Sequence, residues 1–212
     1  MADTREAWSA FLNPEIVRAK LISAGLFLVA HEMLLDSILR HPRFFFSDTF
    51  TANDGFLPSP EYTAKVLALD PKGKNDPLRG SIAWWRTMDA IDEADEIAIR
   101  LVTEARNNIA HEMTGMISGA KPPEFAEHFG ALMGLVNKIE KWWIINVEAE
   151  TDIDWNGDEV DEAGIVPGPA WMMEMLAQVA LGEGDEAWQL HRQFEELWMA
   201  NAASKSLSLS RR

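Results

Sequence analysis

The sequence predicts an all-α protein: a bundle of four or five helices up to residue 148, then an acidic hairpin and a helical pair. Three observations predict it. Apolar residues recur at helical spacing over long stretches near 14–40, 92–115 and 123–147. Helix-start signals stand where helices should begin, at Asn13-Pro14, Asp76-Pro77 and Asp92. Hydrophobic residues are 47% of 212 and charged residues 25%, which suits one domain with a sizeable core, or one domain with an appendage.

The first helix runs from Pro14 to about Arg40 and is stopped by Pro42. Its apolar positions wrap most of the circumference, as in a central, buried helix. Phe44 to Pro60 reads as a loop, broken by Asp54-Gly55, Pro58 and Pro60, with Phe44-Phe45-Phe46 plugging core or interface. A short helix over Glu61–Leu69, a loop over Asp70–Asn75 and a helix from Asp76-Pro77 to about Asp89 follow. The helix opened by Asp92 carries a stripe of Ala94, Ile97, Ala98, Leu101, Val102, Ala105 and Ile109, with Gly115 as its stop. The next spans roughly Pro123–Val147. In the pairs Trp84-Trp85 and Trp142-Trp143, helical neighbours point about 100° apart, so one ring of each pair is expected inside and the other at a subunit interface. Asn156-Gly157 signals a hairpin packing Trp155 and Val160. Pro169 opens a helix to about Leu181, and Asp185 caps a last one to about Ala203 bearing Trp188, Phe194, Leu197 and Trp198. The domains expected are therefore a bundle over 1–148, an acidic hairpin or linker over 149–168, a helical pair over 169–203 packing on the bundle, and a flexible tail over 204–212.

Net charge is −15, unevenly spread. Residues 150–203 hold thirteen acids against Arg192 alone, whereas residues 40–86 hold seven Lys/Arg against five acids. A uniformly acidic protein repels nucleic acid; this one keeps a stretch from which a basic face could be built, and an acidic part suited to a basic partner. With no Cys, disulfides and thiolate metal sites are excluded. The N-terminus shows no apolar signal region, and the longest apolar run, Leu21–Ala30, is too short to span a bilayer. A cytoplasmic protein with no membrane contact is the expectation.

Chemistry concentrates in Arg106-Asn107-Asn108-Ile109-Ala110-His111-Glu112. A guanidinium, an amide and an imidazole stand within two helical turns, and nothing else in the chain offers a comparable set. Asn107 and His111 are four apart and share a face. Arg106 and His111 are five apart, about 140° round an ideal helix. They converge only if the helix ends or distorts between them, if substrate bridges them, or if two copies face each other. Arg and His near a helix end also suit simple carbonyl capping.

The pattern Arg106-Asn107…His111, late in a helical domain, resembles the signature of the HEPN superfamily: Arg, four to six residues, His, often with Asn directly after the Arg. The resemblance covers roughly residues 14–148. It implies a four-helix HEPN-type core and a metal-independent endoribonuclease, often of toxin or defence systems, acting as a homodimer with a shared cleft. HEPN-like domains also occur as inert dimerisation or binding modules. The chemistry is coherent by itself, because RNA carries its own nucleophile, the 2′-hydroxyl. His111 is suited to move the proton. Arg106 is suited to hold the phosphate and its transition-state charge, and Asn107 to orient His111 or a phosphate oxygen. His31, Glu32 and Glu112 are supporting polar groups facing the cleft, and Arg40, Arg43, Lys72, Lys74, Arg79 and Arg86 are candidate RNA contacts.

Other constellations are weaker. His31-Glu32 and His111-Glu112 lack the Glu-x-x-His spacing of a di-iron bundle. Asp152, Asp154, Asn156 and Gly157 start like a calcium loop, but Ala163 stands where its bidentate Glu belongs. No metal or cofactor is called for. No Ser-His-Asp triad, P-loop or dinucleotide fingerprint is present.

Overall fold

A computed structural model describes residues 8–9, 11–117, 125–151 and 161–209. The chain is mostly helical. In order come α1 (Pro14–Phe45), strands β1 (Ser47–Thr51) and β2 (Gly55–Pro58), α2 (Pro60–Lys65), a 3-10 turn (Leu67–Leu69), α3 (Pro77–Thr87), α4 (Glu93–Ile117) and α5 (Phe125–Trp143). A π-helical stretch, Ile144–Glu148, runs on into Ala149–Thr151, and α6 (Gly168–Leu181) and α7 (Gln189–Leu209) close the chain. Two compact units divide at residue 170. The hairpin expected at Asn156-Gly157 lies outside the described residues.

In the first unit α1 is the hub, packing against α3, α4 and α5, while α4 also packs on α5. Phe27, Leu34 and Ile38 from α1 meet Trp85 of α3 and Leu132 and Ile139 of α5 in a fully buried core. The starts are as the sequence signals them. Asn13 Oδ1 accepts from the amides of Glu15 (3.0 Å) and Ile16 (3.3 Å). Asp76 accepts from the Arg79 amide at 3.0 Å. Asp92 and Asp95 each take the other's amide, at 3.0 and 2.8 Å, a reciprocal cap built from two aspartates. In the second unit, Arg192 ties the start of α7 to Asp185, through its side chain at 3.0 Å and its carbonyl at 2.7 Å. Helix α7 continues to Leu209, past the expected end at Ala203.

Several expectations are corrected. Pro42 does not stop α1, which runs three residues beyond it. Proline lacks the N–H that would bond the Ile38 carbonyl four residues back. Here the Trp85 indole N–H donates to that carbonyl at 3.0 Å from outside the helix. A side chain from α3 thus fills the vacancy the proline leaves. At 32 residues, with a window of mean hydropathy 1.6, α1 is also long and apolar enough to cross a bilayer by length and composition. The run noted in the sequence ended at His31-Glu32, whereas Met33, Leu34, Leu35 and Ile38 continue the apolar stretch beyond that pair.

Residues 47–58 form a two-stranded antiparallel hairpin where a loop was expected, with Phe50 paired opposite Phe56 and Gly55 at φ +70 in the turn. Two of the three breakers proved to be hairpin parts, Asp54-Gly55 turning it and Pro58 ending its second strand, while Pro60 opens α2. Both Trp84 and Trp85 are buried, so neither ring of that pair faces a partner. On α4 the buried line is Ile99, Val102 and Ile109, leaving Ile97 and Leu101 about 43–44% exposed. The stripe read from the sequence was wider than the face that packs.

If the Trp85 indole stands in for the missing amide, Trp85→Phe leaves a buried carbonyl unsatisfied and lowers stability by about 1–3 kcal/mol. Adding Pro42→Ala restores a backbone donor and recovers part of that loss. Urea unfolding of the single and double variants measures both, and equal stability of the two variants would refute the substitution.

Candidate functional site

Helix α4 continues unbroken from Glu93 through His111 to Ile117, so the motif neither ends nor distorts the helix. Arg106 and His111 therefore leave it on different sides. His111 is exposed, as are Asn107 and Asn108. Arg106 is half-buried and turns toward α1, where its Nη2 lies 3.4 Å from Glu32 Oε1. Its Nη1 reaches Asn107 Oδ1 only at 3.5 Å. One chain alone does not bring the guanidinium and the imidazole to a single phosphate. The Glu112 side chain lies outside the described residues.

Arg106 and Glu32 line an open groove of about 580 Å³ with Leu28, Val29, Met33 and Asp36. The ion pair in it is exposed: Glu32 by 61% and Arg106 by 36%. Pairs of that kind are worth roughly 0–1 kcal/mol. Exchanging Glu32 for another acceptor would therefore cost Arg106 little.

His31 does not face the groove; it is buried at 2% exposure. Thr103 donates its hydroxyl to the Ile99 carbonyl at 2.7 Å, so its oxygen must accept from His31 Nε2–H at 3.2 Å. Nδ1 is then a bare lone pair, buried without a partner. Burial pushes the imidazole pKa below its usual value, Glu32 pulling it back up and Arg106 pushing further down. His31 is a neutral packing group beneath the Arg106–Glu32 pair.

The six cations expected to touch RNA have different surroundings. Arg79 is committed to Asp70, donating through Nε at 2.7 Å and Nη2 at 3.0 Å. Asp70 also takes the backbone amides of Lys72, Lys74 and Asp76, and this set of donors, the Arg79 guanidinium foremost, holds its carboxyl far below the usual range. Arg79 thus organises a loop, while the side chains of Lys72 and Lys74 stay exposed on it. Arg86 is half-buried, with Nη1 enclosed and unpartnered. Arg40 and Arg43 line a common groove, a second one of about 830 Å³. Among the described residues no three His, Asp or Glu side chains gather as a metal would require.

The sequence reading missed the cluster under that second groove. Ser37 donates to Glu140 Oε1 at 2.5 Å, and His41 Nε2 bonds the same oxygen at 2.9 Å. All three residues are buried. Burial alone would raise the Glu140 pKa. The bonds from His41 and Ser37, with the charges of His41 and Arg40, outweigh it and hold the carboxyl below its ordinary value. The His41 ring stacks on Trp143 at 4.4 Å. A signal existed: Phe27, His31, Leu34, Ile38 and His41 step along α1 at three- and four-residue intervals, placing two histidines on the buried line.

No family model, curated protein or solved structure matches the chain. The HEPN resemblance thus stands on residues 106–111 and the helical setting alone.

The His31 environment sets a pH dependence. Its folded pKa lies below the 6.5 of the free side chain, so on acidification the unfolded chain takes up the proton first. Stability is therefore full above about pH 6.5 and falls as the pH drops through that value. His31→Gln keeps a donor for Thr103 and should flatten the melting temperature between about pH 7 and pH 5.5. A wild-type curve already flat there would contradict the assignment. Separately, Glu140→Leu strips Ser37 and His41 of their common acceptor and should cost about 1–3 kcal/mol in chemical denaturation; a loss within error of zero would show the buried network to be inert.

Proposed function

We propose that the protein is a metal-independent endoribonuclease of HEPN type whose site is completed by a second copy. The observation that carries this is the outer face of α4. Ile97, Leu101, Glu104, Asn108 and His111 follow one another at intervals of four, three, four and three residues, all exposed. Two apolar side chains thus lie uncovered on the same face as the imidazole, while Arg106 waits round the helix in an open groove. A second copy packed on this face would place its own Arg106 or His111 toward the first chain's cleft.

In that arrangement the RNA 2′-hydroxyl attacks the adjacent phosphorus as His111 takes its proton. The bond to the 5′-oxygen breaks, and that oxygen leaves with a proton returned by an imidazolium or water. The products are a 2′,3′-cyclic phosphate end and a 5′-hydroxyl end. Arg106, released from Glu32, offers paired N–H donors to the non-bridging oxygens as their charge grows. Asn107 holds a phosphate oxygen or His111.

A second reading is favoured by one observation: Glu32 and Asp36 outnumber Arg106 in its own groove. On that reading the chain is an inert HEPN-like dimerisation module. Purified protein incubated with varied single-stranded RNAs in EDTA separates the two. The nuclease reading expects cleavage that survives chelation and drops about 10²–10⁴-fold in His111→Ala. Dimers without cleavage would leave the module reading, and monomers without cleavage would sink both.

A further inference from the structure

The second groove lies at the far end of α1 and differs in kind from the first. Its floor is the stacked pair His41 and Trp143, and its walls carry Phe44, Phe56 and Tyr62. Phe44 and Phe56 meet edge to face at 4.7 Å, yet each is 47% exposed. Aromatic surface left open in a concavity, beside a few fixed polar groups, is the usual make-up of a small-ligand site.

The charges restrict what such a ligand can be. Arg40 already has a carboxylate, its Nε 3.1 Å from Asp36, and its Nη2 lies 3.8 Å from Glu140. Glu148 accepts the Trp143 indole N–H at 3.1 Å. Among the described residues no carboxylate pairs with Arg43, which lines the groove and is exposed. One guanidinium is therefore free. A polyanion entering here would also meet Asp36 and Glu148, which line the same groove. A chain of phosphates is thus disfavoured and a single negative charge suits.

We propose that this groove binds a flat apolar group carrying one carboxylate, with Arg43 taking the carboxylate through paired N–H donors and Phe44 and Phe56 packing on the apolar body. The buried Ser37–Glu140–His41 set fixes the floor, since His41 cannot turn without losing its bond to Glu140. The same chemistry arises in a free aromatic acid and in a peptide ending in an aromatic residue. The site is separate from Arg106 and His111 and does not rest on the nuclease reading.

Calorimetric titration of the full-length protein tests it with two probes, naphthalene-2-carboxylate and a pentapeptide ending in phenylalanine with a free carboxylate. Their carboxamide forms are the controls. At least one acid should bind, with its amide weaker by tenfold or more. Arg43→Gln and Phe56→Ala should each weaken binding at least tenfold, Arg43→Gln without changing the melting temperature. Arg18→Gln, about 37 Å back along α1 at 1.5 Å per residue, should not. Binding of the naphthoate alone identifies a free acid as the ligand type, and preference for the peptide identifies a protein tail. The proposal is overturned if neither acid binds, if acid and amide bind alike, if Arg43→Gln has no effect, or if a trinucleotide binds the groove in preference to both.

Discussion

One hydrogen bond sets the length of the central helix. Without the Trp85 indole at the Ile38 carbonyl, Pro42 would leave a buried acceptor empty and α1 would have reason to stop there. With it, the helix continues to Phe45 and carries Arg43 and Phe44 out to the groove wall. The same indole meets the His41 ring edge on at 6.1 Å and Trp142 at 5.5 Å, so the donor is itself held by its neighbours. The bond thus couples α3 to α1 at the place where α5 also arrives. Large aromatic rings do this well, since each buries much area with few torsions to fix.

The two grooves share that helix but draw on it differently. Asp36 lines both, so they adjoin along α1. The one holding Arg106 is shallow in chemistry, an exposed ion pair among aliphatic groups. The other has a polar network beneath it in which every partner is buried. Buried networks hold geometry well when fully satisfied, because any rearrangement leaves a desolvated group without a partner. Exposed pairs can rearrange at little cost. That contrast supports the proposed roles: a reacting centre has to exchange partners, and a recognition groove has to keep its shape.

The helical character, the centrality of α1 and the starts at Asn13, Asp76 and Asp92 were legible because caps and periodicity are local signals. What the sequence hid depended on distant residues. The passage of α1 through Pro42 requires a tryptophan 43 positions further on to supply a donor. The width of the buried face on α4 depends on how much α1 and α5 cover, which left Ile97 and Leu101 outside. The hairpin at 47–58 was masked by its own turn and proline residues. At the candidate site, Arg106, Asn107 and His111 could be named from spacing alone. The pairing of Arg106 with Glu32 could not, nor could the burial of His31, because both are set by the crossing of α1 and α4. Ser37, His41 and Glu140 went unread for the same reason: their partners are about a hundred residues apart.

The π-helical stretch Ile144–Glu148 has a consequence for the helical turn that follows it, Ala149–Thr151. Its wider turn lets the Ala149 amide reach back to Ile144 and sets Glu148 under the Trp143 indole, five residues away. Each residue added to a turn sets the following backbone back by about 100° relative to an ordinary α-helix. The phase of this short segment therefore acts as an index mark. It decides the angle at which Ala149–Thr151 carry the helix on from α5, and loss of one residue there would swing those three by more than a quarter turn.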